Sequence, residues 1–412
     1  MRKTVFLFYF LFGLSFFLSA QKVDSFRLPA EWEPQQAVWV GVFPTAHRDT
    51  VTAKIIEALY TSVQVRLNYS NETVKKEFNQ FLAGFEIDTS RLQWMQDALS
   101  NVWVRDTGPI FVLNQKGQQK IIDFGWAEYG HHYVYKTAMS LSDIERGESD
   151  RRIAAALQIP TVSTPIVAEG GALETNGQGV LVSIKETALQ RNPGKTLAEI
   201  EKAYLNVTGC QKMIWLNKML LHDKTMPSLL IDHWTSTGAN GHIDEAVRFV
   251  GPNTVAIASI DEEESKNNPI SAVDANTLTA YCEVFKNATD VHGKPFRIIR
   301  IPSPDLNVFA VRYKMNPFIR KQFADSAVTI KDGETIFHVP AVSYMNFFIS
   351  NNVVLSAAYW KEGMPLKEKK KDEAVKNILS KLFPDKKIIQ INPLPVNQMG
   401  GGIHCITQQQ PQ

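Results

Sequence analysis

A single thiol lies near the C-terminus, directly after three glycines, in the run Gly400-Gly401-Gly402-Ile403-His404-Cys405. Glycine has no side chain, so this backbone can take positive φ and can come close to another molecule. A thiol in such a place is a candidate nucleophile, because cysteine attacks as its thiolate wherever a substrate can reach it. The alternative interpretation of Cys405 is a buried, unreactive cysteine beside a glycine turn.

Two acidic residues also occur where a strand-like run gives way to glycine. Asp106 lies in the run Trp103-Val104-Arg105-Asp106-Thr107-Gly108-Pro109, and Glu169 directly precedes Gly170-Gly171. Glycine-rich loops suit ligand sites because the main chain can approach the ligand. We therefore predict that Asp106 is a ligand for a cation, with Trp103 as an aromatic wall, and that Glu169 is a second candidate acid. A solvated turn is the alternative for both acids.

A histidine and a carboxylate are two residues apart in Gly241-His242-Ile243-Asp244. If this segment is extended, His242 and Asp244 point to the same side, because side chains alternate along a strand. The pair would then share one surface. A zinc site is not indicated, because it would need a third ligand that this spacing does not supply.

The N-terminus has the pattern of a secretory signal peptide. A basic start at Arg2 and Lys3 is followed by an apolar run and a small-residue exit at Leu18-Ser19-Ala20. We predict a signal peptide over 1–20 and export of the rest to the periplasm or the cell exterior; a membrane anchor is the competing interpretation. The three cysteines of the chain are an odd, sparse set, so they predict no disulfide framework for an exported protein.

Composition and periodicity indicate one ordinary globular unit. Hydrophobic residues make up 44% and charged residues 21% of the 412 positions, and the net charge is +2, which gives no reason to expect nucleic acid or an acidic membrane as a partner. Helical and strand-like runs alternate without a linker, which favours a single α/β domain over 21–412. Helices are predicted over Thr52–Tyr60, Val74–Leu82, Ile153–Leu157, Thr196–Tyr204, Asn276–Lys286 and Asp372–Leu382. Strands are predicted over Ala37–Val42, Val63–Leu67, Ile110–Leu113, Gly179–Ser183, Val247–Val250, Thr254–Ala258, Phe296–Ile301, Ser343–Ile349 and Lys387–Ile391. The charge run Lys367–Asp372 is predicted to be the solvated start of a helix.

Six sequence blocks together carry a resemblance to a known family. They are Trp103-Val104-Arg105-Asp106-Thr107-Gly108-Pro109, Asp123-Phe124-Gly125-Trp126, Glu169-Gly170-Gly171, Gly241-His242-Ile243-Asp244, Ser343-Tyr344-Met345-Asn346-Phe347, and Gly400 through Pro411. The chain resembles the guanidine deiminases that comprise agmatine deiminase and the bacterial, Porphyromonas-type peptidylarginine deiminase. The blocks follow the family's order and cover nearly all of the mature chain.

The resemblance implies a fold and a role for each candidate residue. The fold would be the pentein α/β propeller, five ββαβ units around a pseudo-fivefold axis with the site in the central channel. Asp106 and Asp244 match the family's guanidinium-binding aspartates, and Cys405 matches its nucleophile. His242 matches the general acid and base, and Glu169 matches a further acid of the site.

The implied reaction is hydrolysis of a guanidinium to a ureido group with release of ammonia, through a covalent S-alkylthiouronium on Cys405. A guanidinium is planar and permanently cationic, so carboxylates in its plane suit its binding. The resemblance implies no metal and no organic cofactor. Two rival functions are a cysteine peptidase using Cys405 and His242, and a non-catalytic protein that binds arginine-like ligands. We interpret His404 as a supporting residue rather than the base.

The substrate is predicted less sharply than the reaction. Agmatine deiminases usually carry acids just before Gly-His-x-Asp, whereas this chain has Thr235 to Asn240 there, and the segment Leu221–Thr237 looks longer than theirs. Bacterial peptidylarginine deiminases hold a C-terminal carboxylate with an arginine pair, but the stretch after Asp123 has no arginine, and its Glu128 could meet an amine. We favour agmatine over an arginine-containing peptide or free arginine. No oligomeric state is predicted.

Overall fold

The computed structural model describes residues 25–43, 46–97, 102–224, 230–321, 323 and 330–412. The predicted signal peptide, 1–20, and residues 225–229 of the long segment before His242 lie outside the described residues. None of the helices in the described part of the chain combines the length and apolar character needed to cross a bilayer.

Short strands and helices alternate along the described residues. The strands are β1 Gln35–Gly41, β2 Gln64–Tyr69, β3 Gln93–Gln96, β4 Ile110–Leu113, β5 Gln119–Gly125, β6 Thr161–Val167, β7 Glu174–Thr175, β8 Val180–Ile184, β9 Lys212–Leu216, β10 Trp234–Ser236, β11 Val247–Gly251, β12 Thr254–Ser259, β13 Arg297–Pro302, β14 Val311–Lys314, β15 Thr335–Val339, β16 Phe348–Ile349, β17 Val353–Ala357, β18 Lys387–Ile391 and β19 Thr407–Pro411.

The helices lie in the connections between these strands. They are α1 Ala46–Leu59, α2 Glu72–Leu82, α3 Val104–Thr107, α4 His131–Tyr135, α5 Leu141–Arg146, α6 Ser149–Leu157, α7 Lys185–Arg191, α8 Leu197–Thr208, α9 Glu262–Asn267, α10 Pro269–Asn287, α11 Leu306–Phe309, α12 Pro317–Arg320, α13 Leu366–Leu382 and α14 Leu394–Asn397. The structure therefore confirms the α/β class predicted from the alternating pattern.

Five of the sheets share one strand order. In each, two strands pair antiparallel and the second continues through helices to a third strand that pairs parallel to it. A parallel return of this kind needs a crossover long enough to hold a helix. These sheets are β4-β5-β6, β7-β8-β9, β11-β12-β13, β16-β17-β18 and β19-β1-β2, the last extended by β3. Because β19 pairs with β1, the last described strand and the first complete the same sheet.

A sixth sheet stands outside this pattern. It consists of β10, β15 and β14, with β10 parallel to β15 and β15 antiparallel to β14. We call it the added sheet. Strand β10 belongs to the long segment before His242, so that segment contributes a strand rather than only a surface loop.

The core lies between the helices and the sheets. On α10 the buried side chains recur at three- and four-residue steps, which faces one side of the helix to the sheet. The helix begins cleanly because Asn268 accepts hydrogen bonds from the N–H groups of Ile270 and Ser271, with Pro269 at the first position. The largest apolar cluster joins this helix to β8, β11 and β12.

Two local predictions were wrong. Within Ser343–Ile349 only Phe348–Ile349 is a strand, because Ser343 and Asn346 direct their side chains to the backbone and carboxylate of Glu245. His242 and Asp244 do not share a strand face, since Ile243–Glu245 is a 3-10 helix.

The charge run Lys367–Asp372 does begin a helix, but it is not uniformly solvated. Glu368 and Asp372 are buried. Asp372 accepts hydrogen bonds from the Tyr344 hydroxyl at 2.6 Å and from the Tyr359 N–H at 2.9 Å.

Candidate active site

The glycine run packs closely against protein groups around Cys405. A Cβ on Gly401 would lie 2.6 Å from the ring of Trp103 and 3.0 Å from the sulfur of Cys405. A Cβ on Gly402 would lie 2.5 Å from the side-chain oxygen of Asn346. The glycines are therefore required by the packing of Trp103, Asn346 and the thiol around this loop.

Asn346 and Glu245 complete the surroundings of the thiol. The Asn346 amide lies 3.2 Å from the Cys405 sulfur and donates to Glu245 at 2.8 Å and to Asp244 at 3.3 Å. Glu245 itself is 4.0 Å from the sulfur. The sequence analysis assigned neither residue to the site, although Asn346 lies in a block that carried the resemblance and Glu245 follows Asp244 directly.

His242 stands between two acids. Its Nδ1 is 3.7 Å from the Asp106 carboxylate and its Nε2 is 3.6 Å from Glu169. Gly171 permits this approach, because a Cβ there would lie 2.4 Å from Nδ1. The Gly171 N–H also donates to Asp106 at 3.0 Å. The loop after Glu169 thus brings the backbone against both His242 and Asp106, as its glycines suggested.

Asp244 is held from below by His404. The two ring nitrogens of His404 lie 2.6 Å from Asp244 and 2.7 Å from Glu31. Glu31 also bonds Arg248 at 2.8 Å. His404 therefore contacts a carboxylate of the site rather than the thiol, an arrangement that fits the supporting role predicted for it. Glu31 was not singled out in the sequence, where it lies between Ala30 and Trp32 with no glycine-rich turn or recognisable motif beside it.

Tyr129 covers Asp106 from the other side and was also missed. Its hydroxyl donates to Asp106 at 3.1 Å, and its ring centre is 5.7 Å from that of His242. Tyr129 and its neighbour Glu128 both have positive φ, 56° and 46°. Such backbone is strained for residues with a side chain and persists where surrounding contacts hold it; here Asn240 donates to the Tyr129 carbonyl at 2.9 Å.

Burial and charge set the protonation of His242 and its two acids. Burial lowers the pKa of His242, but the carboxylates of Asp106 and Glu169 outweigh it and raise this pKa to about 9. Burial raises the pKa of Asp106 to about 6 against the opposing effect of His242. Burial also acts to raise the pKa of Glu169, but Arg191 and His242 lower it to about 2. At neutral pH His242 is therefore protonated and Glu169 ionised.

The thiol has the opposite problem, because it lies among acids. Burial raises the pKa of Cys405 well above its usual value, and the carboxylates of Asp244, Glu245 and Asp106 raise it further. Burial and Asp244 likewise raise the pKa of Glu245 well above its usual value. A cation that enters the site would offset the negative charge of these acids. Its positive charge near the sulfur would stabilise the thiolate and so lower the pKa of Cys405.

Several buried polar atoms facing this site have unused hydrogen-bonding capacity. Among the described residues, Oδ1 of Asp244, Oε2 of Glu169 and both ring nitrogens of His242 have no hydrogen-bond partner. Buried polar atoms are rarely left so, because each costs free energy without a partner. Carboxylate oxygens accept hydrogen bonds, and a guanidinium presents N–H donors in one plane. The arrangement suits a planar cation.

A possible metal site belongs to other elements. Glu264, Asp305 and Glu368 are buried and close enough to share an ion. Two lysines already occupy this cluster: Lys371 lies 2.6 Å from Glu264 and 3.1 Å from Glu368, and Lys367 pairs with Asp305. These ammonium groups supply the positive charge that a metal would bring, so the cluster is a buried ion-pair network.

The structure thus brings together every residue predicted for the site: Cys405, His242, Asp106, Asp244, Glu169 and Trp103. Their roles stay predictions.

Comparison with known proteins gives a consistent family and fold. Residues 27–411 match the family described as Porphyromonas-type peptidyl-arginine deiminase. A Photobacterium profundum protein provisionally named an agmatine deiminase is 27% identical, over 95% of this chain and 98% of that protein. The agmatine deiminase of Enterococcus faecalis has a similar fold, with a TM-score of 0.72 and 24% identity over 94% of this chain and 96% of its own. A Porphyromonas gingivalis protein provisionally named an arginine deiminase gives a TM-score of 0.68 at 22% identity, over 94% and 98% of the two chains.

Proposed function

The chain belongs to the Porphyromonas-type peptidyl-arginine deiminase family, and from this membership we propose that it hydrolyses agmatine to N-carbamoylputrescine and ammonia. As a member of this family it is a hydrolase acting on carbon–nitrogen bonds. The observation that carries the proposal is the set of buried carboxylate oxygens without partners beside Cys405 and His242. Buried carboxylate oxygens without partners cost free energy, and the planar N–H donors of a guanidinium would satisfy those beside the thiol.

Substrate binding is assigned to the acids around the thiol. Asp106 and Asp244 accept hydrogen bonds from the guanidinium nitrogens, and the ring of Trp103 bounds the site next to Gly401. Tyr129 must turn away or share Asp106 with the substrate, because its hydroxyl now bonds that carboxylate. Glu128, next to Tyr129, is the candidate partner for the primary amine of agmatine.

The first chemical step forms a bond between the Cys405 sulfur and the guanidinium carbon. The bound cation lowers the pKa of the thiol, whose proton passes to solvent, and the thiolate attacks. Protonated His242 then gives its proton to one nitrogen of the tetrahedral adduct. That nitrogen leaves as ammonia, and a cationic S-alkylthiouronium remains on Cys405.

The second step frees the product. His242, now neutral, takes a proton from water, and the resulting hydroxide attacks the thiouronium carbon. The carbon–sulfur bond breaks, so the thiolate departs and the ureido product forms after loss of one proton. Asn346 can donate a hydrogen bond to the departing thiolate, since its amide lies 3.2 Å from the sulfur.

The test is ammonia release from agmatine, free arginine and a peptide ending in arginine. We expect release that is lost in Cys405→Ala, together with a covalent adduct of agmatine less ammonia in the mass spectrum of slowed variants. A cysteine peptidase would cleave peptides without releasing ammonia, and a binding protein would retain agmatine unchanged. No ammonia from any of the three compounds would refute the deiminase proposal.

A peptide substrate is the second candidate, and the added sheet is the observation that favours it. Strands β10 and β15 run parallel, and each leads within a few residues to the site, at His242 and at Asn346 respectively. A cavity of about 390 Å³ opens on this sheet. It is lined by Thr235, Tyr313, Asn316, Phe318, Ile319, Phe323, Ile336 and His338. Agmatine has no neighbouring side chain that could fill this cavity, whereas a peptide could place an apolar side chain there.

The relative turnover of the three compounds separates these candidates. We expect the highest kcat/KM for agmatine. A preference for the arginine peptide of about a hundredfold, equal to about 2.7 kcal/mol in transition-state binding, would overturn that expectation. The variant Glu128→Gln should raise KM for agmatine and leave KM for the peptide unchanged if this acid meets the amine.

We further propose that the five similar sheets are units of a propeller with pseudo-fivefold symmetry, the pentein fold. Their shared strand order supports this arrangement. In a crystal structure each unit should superpose on the next by a fifth of a turn about one axis; unrelated orientations would refute it.

Export is also proposed, with 1–20 as a signal peptide and 21–412 as one catalytic domain. The basic, apolar and small-residue pattern of the N-terminus supports it. Intact mass of the protein recovered from the periplasm or medium should correspond to a chain beginning near Gln21. Full-length protein retained in the cytoplasm would refute it.

A further inference from the structure

Asp223 contacts the loop Gly238–His242, although most of the long segment lies between them in the sequence. The chain leaves at Lys224, forms β10 and returns at Gly238. A Cβ on Gly238 would nevertheless lie 2.7 Å from the Cα of Asp223 and 2.4 Å from its side-chain oxygen. The long segment thus begins and ends at the same place, and Asp223 touches the residues that lead into His242.

Asp223 accepts hydrogen bonds from the N–H groups of four successive residues. Its carboxylate accepts from Ala239 at 2.8 Å, Gly241 at 2.8 Å and His242 at 2.7 Å. Its own carbonyl accepts from Asn240 at 2.8 Å. Asp223 is buried, so water cannot take over these bonds.

No helix or strand could supply these acceptors. Asn240 and Gly241 both have positive φ, 60° and 101°, and this conformation turns successive N–H groups toward one point, where a carboxylate fits. The carbonyl groups of the same loop are held separately. Arg191 donates to the carbonyls of Ala239 and Asn240, and Thr187 donates to that of Gly241.

No short hydrogen bond holds the ring of His242 in place. Neither ring nitrogen has a hydrogen-bond partner, and Asp106 and Glu169 lie 3.7 Å and 3.6 Å away. These two ion-pair contacts are long, so the position of the imidazole depends also on the backbone that carries it, and the N–H side of that backbone is bonded to Asp223.

We propose that Asp223 is a positioning residue for the reaction, which holds the Ala239–His242 backbone so that the His242 ring stays within proton-transfer reach of the substrate. The inference rests on the proposed deiminase function. The residues directly before Gly-His-x-Asp carry no acid, but in the folded protein Asp223, near the start of the long segment, contacts this block. Because its oxygens are occupied by N–H groups, Asp223 is not the partner of an agmatine amine.

The decisive variant is Asp223→Asn, with Asp290→Asn as its matched control. Asparagine has nearly the same shape but presents one NH₂ group, which cannot accept from the backbone. Asp290 is also buried, and its carboxylate accepts from the N–H groups of His292 at 2.9 Å and Lys294 at 2.8 Å and from the Asn253 side chain at 2.7 Å. It does not touch the Ala239–His242 loop.

We expect Asp223→Asn to lower kcat on agmatine by about a hundredfold, the scale of a 1 Å misplacement of a catalytic group. KM should change by less than about threefold, because Asp106 and Asp244 still bind the cation. The thiouronium adduct should accumulate on Cys405, since His242 is also needed to activate water. Asp290→Asn should keep kcat and show no adduct, even if its melting temperature falls as far as that of Asp223→Asn.

Amide hydrogen exchange tests the same contact without using activity. In Asp223→Asn the amides of 239–242 should exchange faster, while in Asp290→Asn they should stay protected. Unchanged protection in Asp223→Asn, or an equal loss of kcat in both variants, would overturn the inference. If the wild-type protein releases no ammonia but the exchange result holds, the deiminase proposal fails and the structural clamp stands without a catalytic role.

Discussion

The central site around His242 and the added sheet that precedes it differ in burial and in charge. The central site is a buried set of charges in which Asp106, Glu169 and Asp244 surround a thiol and a histidine. The added sheet and the adjoining helix α12 expose apolar surface instead: Phe318 on α12 is 73% and Tyr313 on β14 is 45% exposed. One region is organised by hydrogen bonds of fixed length, the other by packing.

This difference suggests a division of labour. Buried charges tolerate few changes, because each must stay paired or be matched by a ligand. Apolar surfaces adapt to a partner's shape at small cost. Changes in the central site should therefore affect the chemistry itself, whereas changes in the added sheet should affect only which guanidine is preferred.

The largest effect is expected from the thiol. Cys405→Ala should reduce ammonia release by at least about 10⁴-fold, as expected when a nucleophile is removed, while agmatine binding measured by calorimetry persists. Cys210→Ala, which changes another buried cysteine, is the matched control and should retain activity. Measurable multiple turnover by Cys405→Ala would exclude the covalent route.

The two histidines should differ strongly. His242→Ala should lower kcat by about 10³-fold, the usual contribution of a general acid and base. His404→Ala should lower kcat/KM by about tenfold, equal to the loss of one hydrogen bond to a buried carboxylate, because it frees Asp244 and Glu31 from their shared partner. Equal losses of kcat/KM in both variants would contradict the assignment of His242 as the base and His404 as a supporting residue.

Stability should depend on pH through His242. Its pKa is about 9 in the folded protein, above the ordinary value, so its stabilising effect is complete below about pH 6.5 and is lost as the pH rises through 9. The wild-type protein should therefore lose up to about 3 kcal/mol relative to His242→Gln across that window. Asp106, with a pKa of about 6, titrates at lower pH. Denaturant unfolding at several pH values measures the difference; parallel curves would contradict it.

The smallest effect is expected from the added sheet. Phe318→Ser should leave kcat/KM for agmatine unchanged, and stability should change by no more than about 0.5 kcal/mol because the ring is exposed. If peptides use the cavity, kcat/KM for a peptide with an apolar residue near its arginine should fall by about tenfold. Leu366→Ser, at another exposed apolar residue, is the control. Equal kcat/KM values for this peptide in Phe318→Ser and Leu366→Ser would show that the cavity has no part in substrate recognition.

The sequence identified the candidate reactive groups because their chemistry is a property of residue type and local spacing. Cys405 after its glycines, the acids Asp106 and Glu169 before theirs, and the pair His242 and Asp244 could each be found without a structure. Alternating helical and strand periodicity likewise indicated the α/β class. Motif order then supplied the family, which the match over 27–411 bears out.

Only the tertiary structure decided which groups face one another and in what state of charge. Asn346 reaches the thiol from a stretch that sequence periodicity described as a strand, and Asp223 reaches the His242 loop across an intervening strand. Neither contact has a local signal, because it joins segments far apart in the chain. The raised pKa of Cys405 follows from burial and from acids brought together by folding. Residue types thus determined what chemistry was available, and long-range packing determined how it is arranged.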